Sequence, residues 1–225
     1  APFANDYPPE EIHIFKRNSN MCFRTKLNAK IIDIEKAFEA QFVEPGLYQP
    51  QEEINGFDFS PNPVITNHAP GEILFYNWGL IPFWAKNDNL KKSTLNARIE
   101  TLTEKPAFKN SVYNRCLIIA NGYYEWQWLD EKGKNKQKYL ITAPKEEIFA
   151  FAGIYSTWND PNTGNSLDTF TIVTTRANAL MSEIHNNKER MPVILSQQDR
   201  QTWLDNKPVE NFAYPYEVEL QAKKI

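Results

Sequence analysis

The stretch Arg115-Cys116-Leu117-Ile118-Ile119-Ala120, continued by Asn121-Gly122-Tyr123-Tyr124-Glu125-Trp126, decides the fold class. Its first half is a short, almost unbroken apolar run with two adjacent isoleucines and no polar helical face, which reads as a buried β-strand. Similar runs lie on either side, at 63–66, 73–78, 139–142, 148–154 and 169–174. Between them, 130–135 (Asp-Glu-Lys-Gly-Lys-Asn) and 159–165 have the polar, glycine-containing chemistry of hairpin loops. Helical spacing of Ile31, Ile34, Phe38 and Phe42 predicts one amphipathic helix over 29–42, ended by Pro45 and Gly46. Two shorter helices are predicted at 177–184 and at 196–204, the latter with Ser196 as N-cap. The expected class is α+β: a predominantly antiparallel, barrel-like sheet with a few flanking helices.

Composition narrows the function. Hydrophobic residues at 41% and charged residues at 24% exclude disordered, collagen-like and coiled-coil chains. The longest apolar stretch, 148–155, is far short of a membrane-spanning helix, and the first twenty residues lack the apolar centre of a secretory signal. A cytoplasmic location is the expectation. Twenty-five Lys and Arg against 28 Asp and Glu give a net charge of −3, which argues against the broad basic face of a duplex-coating protein. Two cysteines, Cys22 and Cys116, are too few for a disulfide scaffold or a four-cysteine zinc site. Aromatics at 13% exceed what a core of this size demands, so some are expected to face a ligand.

Met21 is the first methionine in the chain, and Cys22 follows it directly. If translation starts at Met21, removal of that methionine leaves Cys22 with a free α-amine beside its thiol. With typical pKa values of roughly 7.7 to 8.0 and about 8.5, both nucleophiles are partly available near neutral pH. Cys22 also reads as a small, partly buried hydrophobe at a strand start.

Met21-Cys22-Phe23-Arg24, Trp78-Gly79-Leu80-Ile81-Pro82-Phe83-Trp84, Asn96-Ala97-Arg98-Ile99-Glu100-Thr101, Cys116 through Trp126, and Arg190-Met191-Pro192-Val193-Ile194-Leu195 form an ordered set. Together they resemble the SRAP family, the SOS-response-associated peptidase domain that shields abasic sites in single-stranded DNA. The resemblance spans 21–225 as one domain, with 1–20 as a leader: an artefact of the start site or of expression, or a propeptide removed by self-cleavage.

The resemblance implies a covalent thiazolidine between Cys22 and the ring-opened abasic deoxyribose. It implies Glu125 as the group that moves protons at the Cys22 amine, Asn96 as the side chain that holds the sugar, and His185 as the acid at the sugar oxygen. Arg24 and Arg98 would clamp neighbouring phosphates, with Lys86, Lys91 and Lys92 extending that track, while Phe83 and Trp84 would wedge against bases. No metal, cofactor or membrane is implied, and the expected partner is single-stranded DNA met by a monomer. Read locally, each residue has a plainer alternative: Glu125 a solvent-facing strand glutamate, Asn96 a turn residue, His185 a structural helix-end histidine, Trp84 a core side chain. Phe23 stands where many family members have glycine, and four residues separate His185 from Arg190 where the family usually has one.

Two rival functions use the same residues. In one, Cys22 is the nucleophile of a peptidase or amidase assisted by Glu125, Asn96 and His185. In the other, an aromatic and basic groove binds single strands without chemistry.

Overall fold

The computed structural model describes residues 23–225. Cys22 and the leader at 1–20 lie outside the described residues. In chain order the strands are β1 (Arg24–Leu27), β2 (Gln41–Phe42), β3 (Gln51–Asn55), β4 (Pro61–Thr66), β5 (Ala69–Trp78), β6 (Asn96–Arg98) and β7 (Arg115–Ala120). They continue as β8 (Gly122–Trp128), β9 (Lys136–Thr142), β10 (Phe149–Asn159), β11 (Ser166–Arg176), β12 (Arg190–Pro192), β13 (Ile194–Leu195) and β14 (Gln221–Lys224). The α-helices are short: α1 (Ile31–Phe38), α2 (Ala179–Ile184) and α3 (Asp199–Leu204). None is long and apolar enough to cross a membrane.

Strands β5, β4, β7, β10 and β11 pair in that order, and a parallel pairing of β11 with β5 closes them into a five-stranded barrel. The other four pairings in the ring are antiparallel. A second sheet runs β14-β9-β8-β1-β3. The expected antiparallel, barrel-like α+β class is therefore present.

The unbroken apolar character of 115–120 has a direct cause. Cys116, Ile118 and Ala120 join one buried cluster, while Leu117 and Ile119, pointing the opposite way, join another. β7 is thus buried on both faces, each large side chain contributing about 1.5–3 kcal/mol of burial. Two glycines make the closure possible. At Gly153 a Cβ would sit 2.2 Å from Ile118 Cδ1 and 2.9 Å from Cys116 Sγ, so any larger residue would displace buried side chains of β7. Gly79, at φ +115°, turns the chain out of β5 and donates its amide to the Phe170 carbonyl at 2.9 Å.

Two predicted helices are shorter than expected. α1 stops at Phe38 because Glu39 takes a left-handed conformation (φ 52°), and Phe42 leaves the helix to pair with Ile73 of β5. Pro45 and Gly46 begin a separate 3₁₀ turn. Ser196 does not cap α3: its hydroxyl bonds to Asp199 Oδ2 at 2.5 Å, and the helix begins three residues later. Around α2 the expectation is nearly right, with Asn178 as the cap, accepting from the Met181 amide at 2.9 Å.

Candidate active site

Strand alternation decides which way Glu125 faces. On β8, Tyr123, Glu125 and Gln127 share one side of the sheet. Tyr123 donates its hydroxyl to Met181 Sδ at 3.4 Å, and Gln127 donates Nε2 to the Glu183 carbonyl at 3.1 Å. α2 therefore lies along the side that carries Glu125. The helix ends at His185, whose amide donates to the Met181 carbonyl at 2.7 Å. Glu125 is 3% exposed and His185 is 2% exposed. A cleft of about 160 Å³ is lined by Phe23, Arg24, Glu125, Trp126, Trp128, Lys136, His185 and Asn187.

Burial pushes the Glu125 carboxyl up to about 8, only partly opposed by a hydrogen bond from the Trp126 amide. Glu125 Oε1 has no hydrogen-bond partner among the described residues. A carboxyl with a pKa raised toward neutrality and an oxygen left without a partner can both give and take a proton. The solvent-facing alternative for this glutamate is overturned.

His185 Nδ1 lies 2.8 Å from the Arg190 carbonyl oxygen. A carbonyl only accepts, so Nδ1 carries the proton and Nε2 is the nitrogen that gains or loses one. The four residues before Arg190 fold back instead of carrying the histidine away. Lys188 and Glu189 donate their amides to the His185 carbonyl at 3.2 and 2.8 Å. Asn186 mimics a strand partner, accepting from the Trp128 amide at 3.1 Å and donating to its carbonyl at 3.0 Å.

Arg24 reaches this cleft already engaged. It bonds Glu53 Oε1 at 2.5 Å, and its guanidinium lies 5.8 Å from the Trp126 ring, which itself stacks on Phe23 at 5.9 Å and 5°. Lys138 bonds the second Glu53 oxygen at 2.5 Å. Burial alone would raise the Glu53 carboxyl, but hydrogen bonds from Lys138 and Arg24, with their charges, hold it below the usual range.

Asn96 and Arg98 stand elsewhere, on β6, which pairs in parallel with β11. Neither lines the cleft. A chain of contacts joins them to it: Thr174 donates Oγ1 to the Ala97 carbonyl at 3.3 Å, and Arg190 donates to the Thr174 carbonyl at 2.8 Å while presenting its own carbonyl to His185. Asn96 is half-buried and Arg98 exposed.

Phe83 and Trp84 project from a pinned turn. Ile81 donates its amide to Thr169 Oγ1 at 2.9 Å, and the Ala85 carbonyl accepts from Trp158 Nε1 at 2.7 Å. Between these anchors Phe83 is 61% and Trp84 46% exposed, so core packing does not account for Trp84. Of the lysines proposed to extend a phosphate track, Lys91 is held by Asp88 and lies over the Phe59 ring at 4.9 Å.

Glu53, Trp128, Lys136, Lys138 and Asn187 escaped the sequence reading. The signal for three of them was the pair of spacings Trp126-x-Trp128 and Lys136-x-Lys138 across a hairpin loop. In the structure Trp126 opposes Lys138, and Trp128 opposes Lys136 with its ring 5.0 Å from the ammonium. Among the described residues, no group of three or more His, Cys, Asp or Glu could hold a metal ion.

Residues 21–225 match the family described as SOS response associated peptidase (SRAP). Over 193 residues the chain is 39% identical to the abasic site processing protein YoqW of Bacillus subtilis, covering 83% of this chain and 81% of that one. Over 151 residues it is 32% identical to the abasic site processing protein HMCES of Xenopus tropicalis, covering 57% and 43%. The X-ray structure of a Bacteroides thetaiotaomicron protein superposes with a TM-score of 0.82 at 34% identity, covering 91% of this chain and 92% of that one. A Bordetella bronchiseptica protein, at 21% identity with a TM-score of 0.76 over 91% and 99%, shares the fold. The chain belongs to the SOS response associated peptidase (SRAP) family.

Proposed function

We propose that this protein captures abasic sites in single-stranded DNA by forming a covalent bond to them through Cys22. Relatives named as abasic site processing proteins support the choice of substrate. The observation that carries the reading is that Phe23 and Arg24, the residues after Cys22, line the same cleft as Glu125 and His185.

The chemistry needs a free amine at Cys22. That amine condenses with the C1′ aldehyde of the opened sugar, forming an imine and releasing water. The thiol then adds across the C=N bond, sulfur to carbon and proton to nitrogen, giving a five-membered thiazolidine. Ring closure is intramolecular and so runs at a high effective concentration. Glu125 takes the proton from the Cys22 ammonium and returns one when the adduct reverses. His185 donates from Nε2 to the sugar oxygen as the furanose opens. Asn96 holds the sugar, Arg24 and Arg98 hold flanking phosphates, and Phe83 with Trp84 stack against bases of a single strand. The working chain starts at Cys22, which requires that whatever precedes it be removed, by the protein itself or otherwise.

The test begins with intact mass of protein expressed from Met21, to establish that the chain starts at Cys22. This material is then incubated with a single-stranded abasic oligonucleotide and run on a denaturing gel. A shifted band is expected, absent in Cys22→Ala and absent when residues 1–21 stay attached. An adduct that survives either change would overturn the proposal. Turnover of a peptide or amide substrate with no adduct would favour the peptidase rival.

A further inference from the structure

We infer that Asn187 reads the sugar: its carboxamide oxygen accepts a hydrogen bond from a hydroxyl of the opened deoxyribose. The inference rests on the abasic-site reading above and names a contact that reading does not assign.

Asn187 stands on a divide. It lines the cleft of Glu125 and His185 and also an adjoining hollow of about 500 Å³ bordered by Trp128, Leu129 and Asp130. Its Oδ1 is buried and has no hydrogen-bond partner among the described residues. A buried acceptor left unpaired destabilises the fold, so such an atom is ordinarily met by water or ligand. The cleft holds a second oxygen of the same kind, Glu125 Oε1. Two unpaired acceptors on residues that line one small cleft call for a ligand that brings two donors.

The loop is pinned on both sides of Asn187. Asn186 is fastened to both backbone groups of Trp128, Lys188 and Glu189 donate to the His185 carbonyl, and the Glu189 carbonyl accepts from the Ala177 amide at 2.9 Å. The residue is therefore held in place while its own carboxamide oxygen stays without a partner among the described residues.

The donor's identity follows from the ligand's chemistry. Phosphates and the aldehyde of an abasic strand only accept, and the Cys22 amine is the donor suited to Glu125. The donor left on the opened sugar is its hydroxyl, uncovered when the ring oxygen takes a proton. An aldehyde lacking that hydroxyl would react at Cys22 but gain nothing from Asn187.

The experiment compares two single-stranded oligonucleotides, one with an abasic site and one with an alkyl aldehyde lacking a hydroxyl at the same position. Asn187→Leu is expected to slow adduct formation about tenfold on the abasic strand and to leave the alkyl aldehyde rate within about twofold of wild type. Asn187→Ala, which adds no bulk, is read on the same pair and carries the same expectation should the leucine disturb folding. Equal slowing on both strands assigns Asn187 a purely structural role and overturns the inference. An unchanged rate on the abasic strand does so too. Failure of wild-type protein to form an adduct on either strand would instead remove the abasic-site reading, and the inference with it.

Discussion

The backbone carbonyl of Arg190 fixes the tautomer of His185 at 2.8 Å, while the Arg190 guanidinium forks onto Glu100 with bonds of 2.7 and 2.8 Å. One residue thus joins the helix-end histidine to the 3₁₀ turn that follows β6. The second strand of that link, the bond from Arg190 to the Thr174 carbonyl, ties in the barrel wall that carries Asn96 and Arg98. The guanidinium joins two segments distant in sequence, at Glu100 and Thr174, and the backbone carbonyl of the same residue adds the helix end at His185.

Arg190→Lys tests this relation. A lysine cannot reproduce the two-pronged bond to a carboxylate, so Glu100 and the Thr174 carbonyl would compete for one ammonium. The expected result is a cross-linking rate lowered roughly tenfold, with its histidine-dependent limb displaced along the pH axis. A rate measured from pH 5 to 9 checks it. Loss of stability with an unmoved pH profile would confine Arg190 to a structural role.

Glu125 makes stability depend on pH in a direction opposite to that of an ion-paired carboxylate. Its folded pKa, about 8, lies above the ordinary glutamate value of 4.5 because burial disfavours the charge. The folded state therefore binds the proton more tightly than the unfolded state does. The resulting stabilisation is fully present below about pH 4.5 and is lost as pH rises through 8. Glu125→Gln removes the titration, so the variant should melt close to wild type at pH 5 and several degrees above it at pH 9. Thermal unfolding at the two values decides the matter. The same variant should cross-link abasic DNA at least tenfold more slowly, since the amide cannot take up the Cys22 proton.

Four of the five barrel strands were legible because β4, β7, β10 and β11 are buried along most of their length, whereas β5 is largely exposed or half-buried. A run such as 115–120 needs no alternation to be recognised when each side of it joins a different apolar cluster. The short strands were not legible. β6 has three residues, and β12 and β13 are two fragments broken at Val193, so neither offers enough length for a pattern. α1 was overextended because the residue that ends it, Glu39, is an ordinary helix former pushed into a left-handed conformation by the need to seat Phe42 beside Ile73. Within the site, Glu125, His185 and Arg24, singled out by the family resemblance, line one cleft together with Phe23, which was not singled out, while Asn96 and Arg98 do not line it. Glu53 was invisible because its partners Arg24 and Lys138 lie 29 and 85 residues away.

Glu53 leads to a separate expectation. It neutralises Lys138 together with Arg24, which lines the cleft, so that a phosphate approaching Arg24 does not meet two free cations. Each pair is about a third exposed, so its loss should cost under about 1 kcal/mol. Glu53→Gln should tighten binding of unmodified single-stranded DNA about two- to fivefold at low salt, with a steeper fall in affinity as salt rises. Fluorescence anisotropy across a salt series measures both. A variant that binds more weakly would mean that Glu53 orients Arg24 and does not mask it.

Two tryptophans in one sequence motif separate recognition from folding. Trp78 is 1% exposed, donates Nε1 to the Leu95 carbonyl at 2.8 Å, and stacks on Phe170 at 6.1 Å. Its replacement by alanine should cost about 3–5 kcal/mol and lower the melting temperature by many degrees. Trp84, six residues later, is half-exposed on a turn whose anchors are Ile81 and Ala85, not its own ring. Trp84→Ala should leave the melting temperature within about a degree or two, because a surface substitution of this kind changes stability little. It should nevertheless weaken single-strand binding by roughly tenfold, the loss expected when one base forfeits an aromatic platform. Unfolding and anisotropy measured on the two variants give opposite patterns if this division holds. Were Trp84→Ala to lose stability and keep its affinity, the exposed ring would belong to the fold and the strand would have to bind elsewhere.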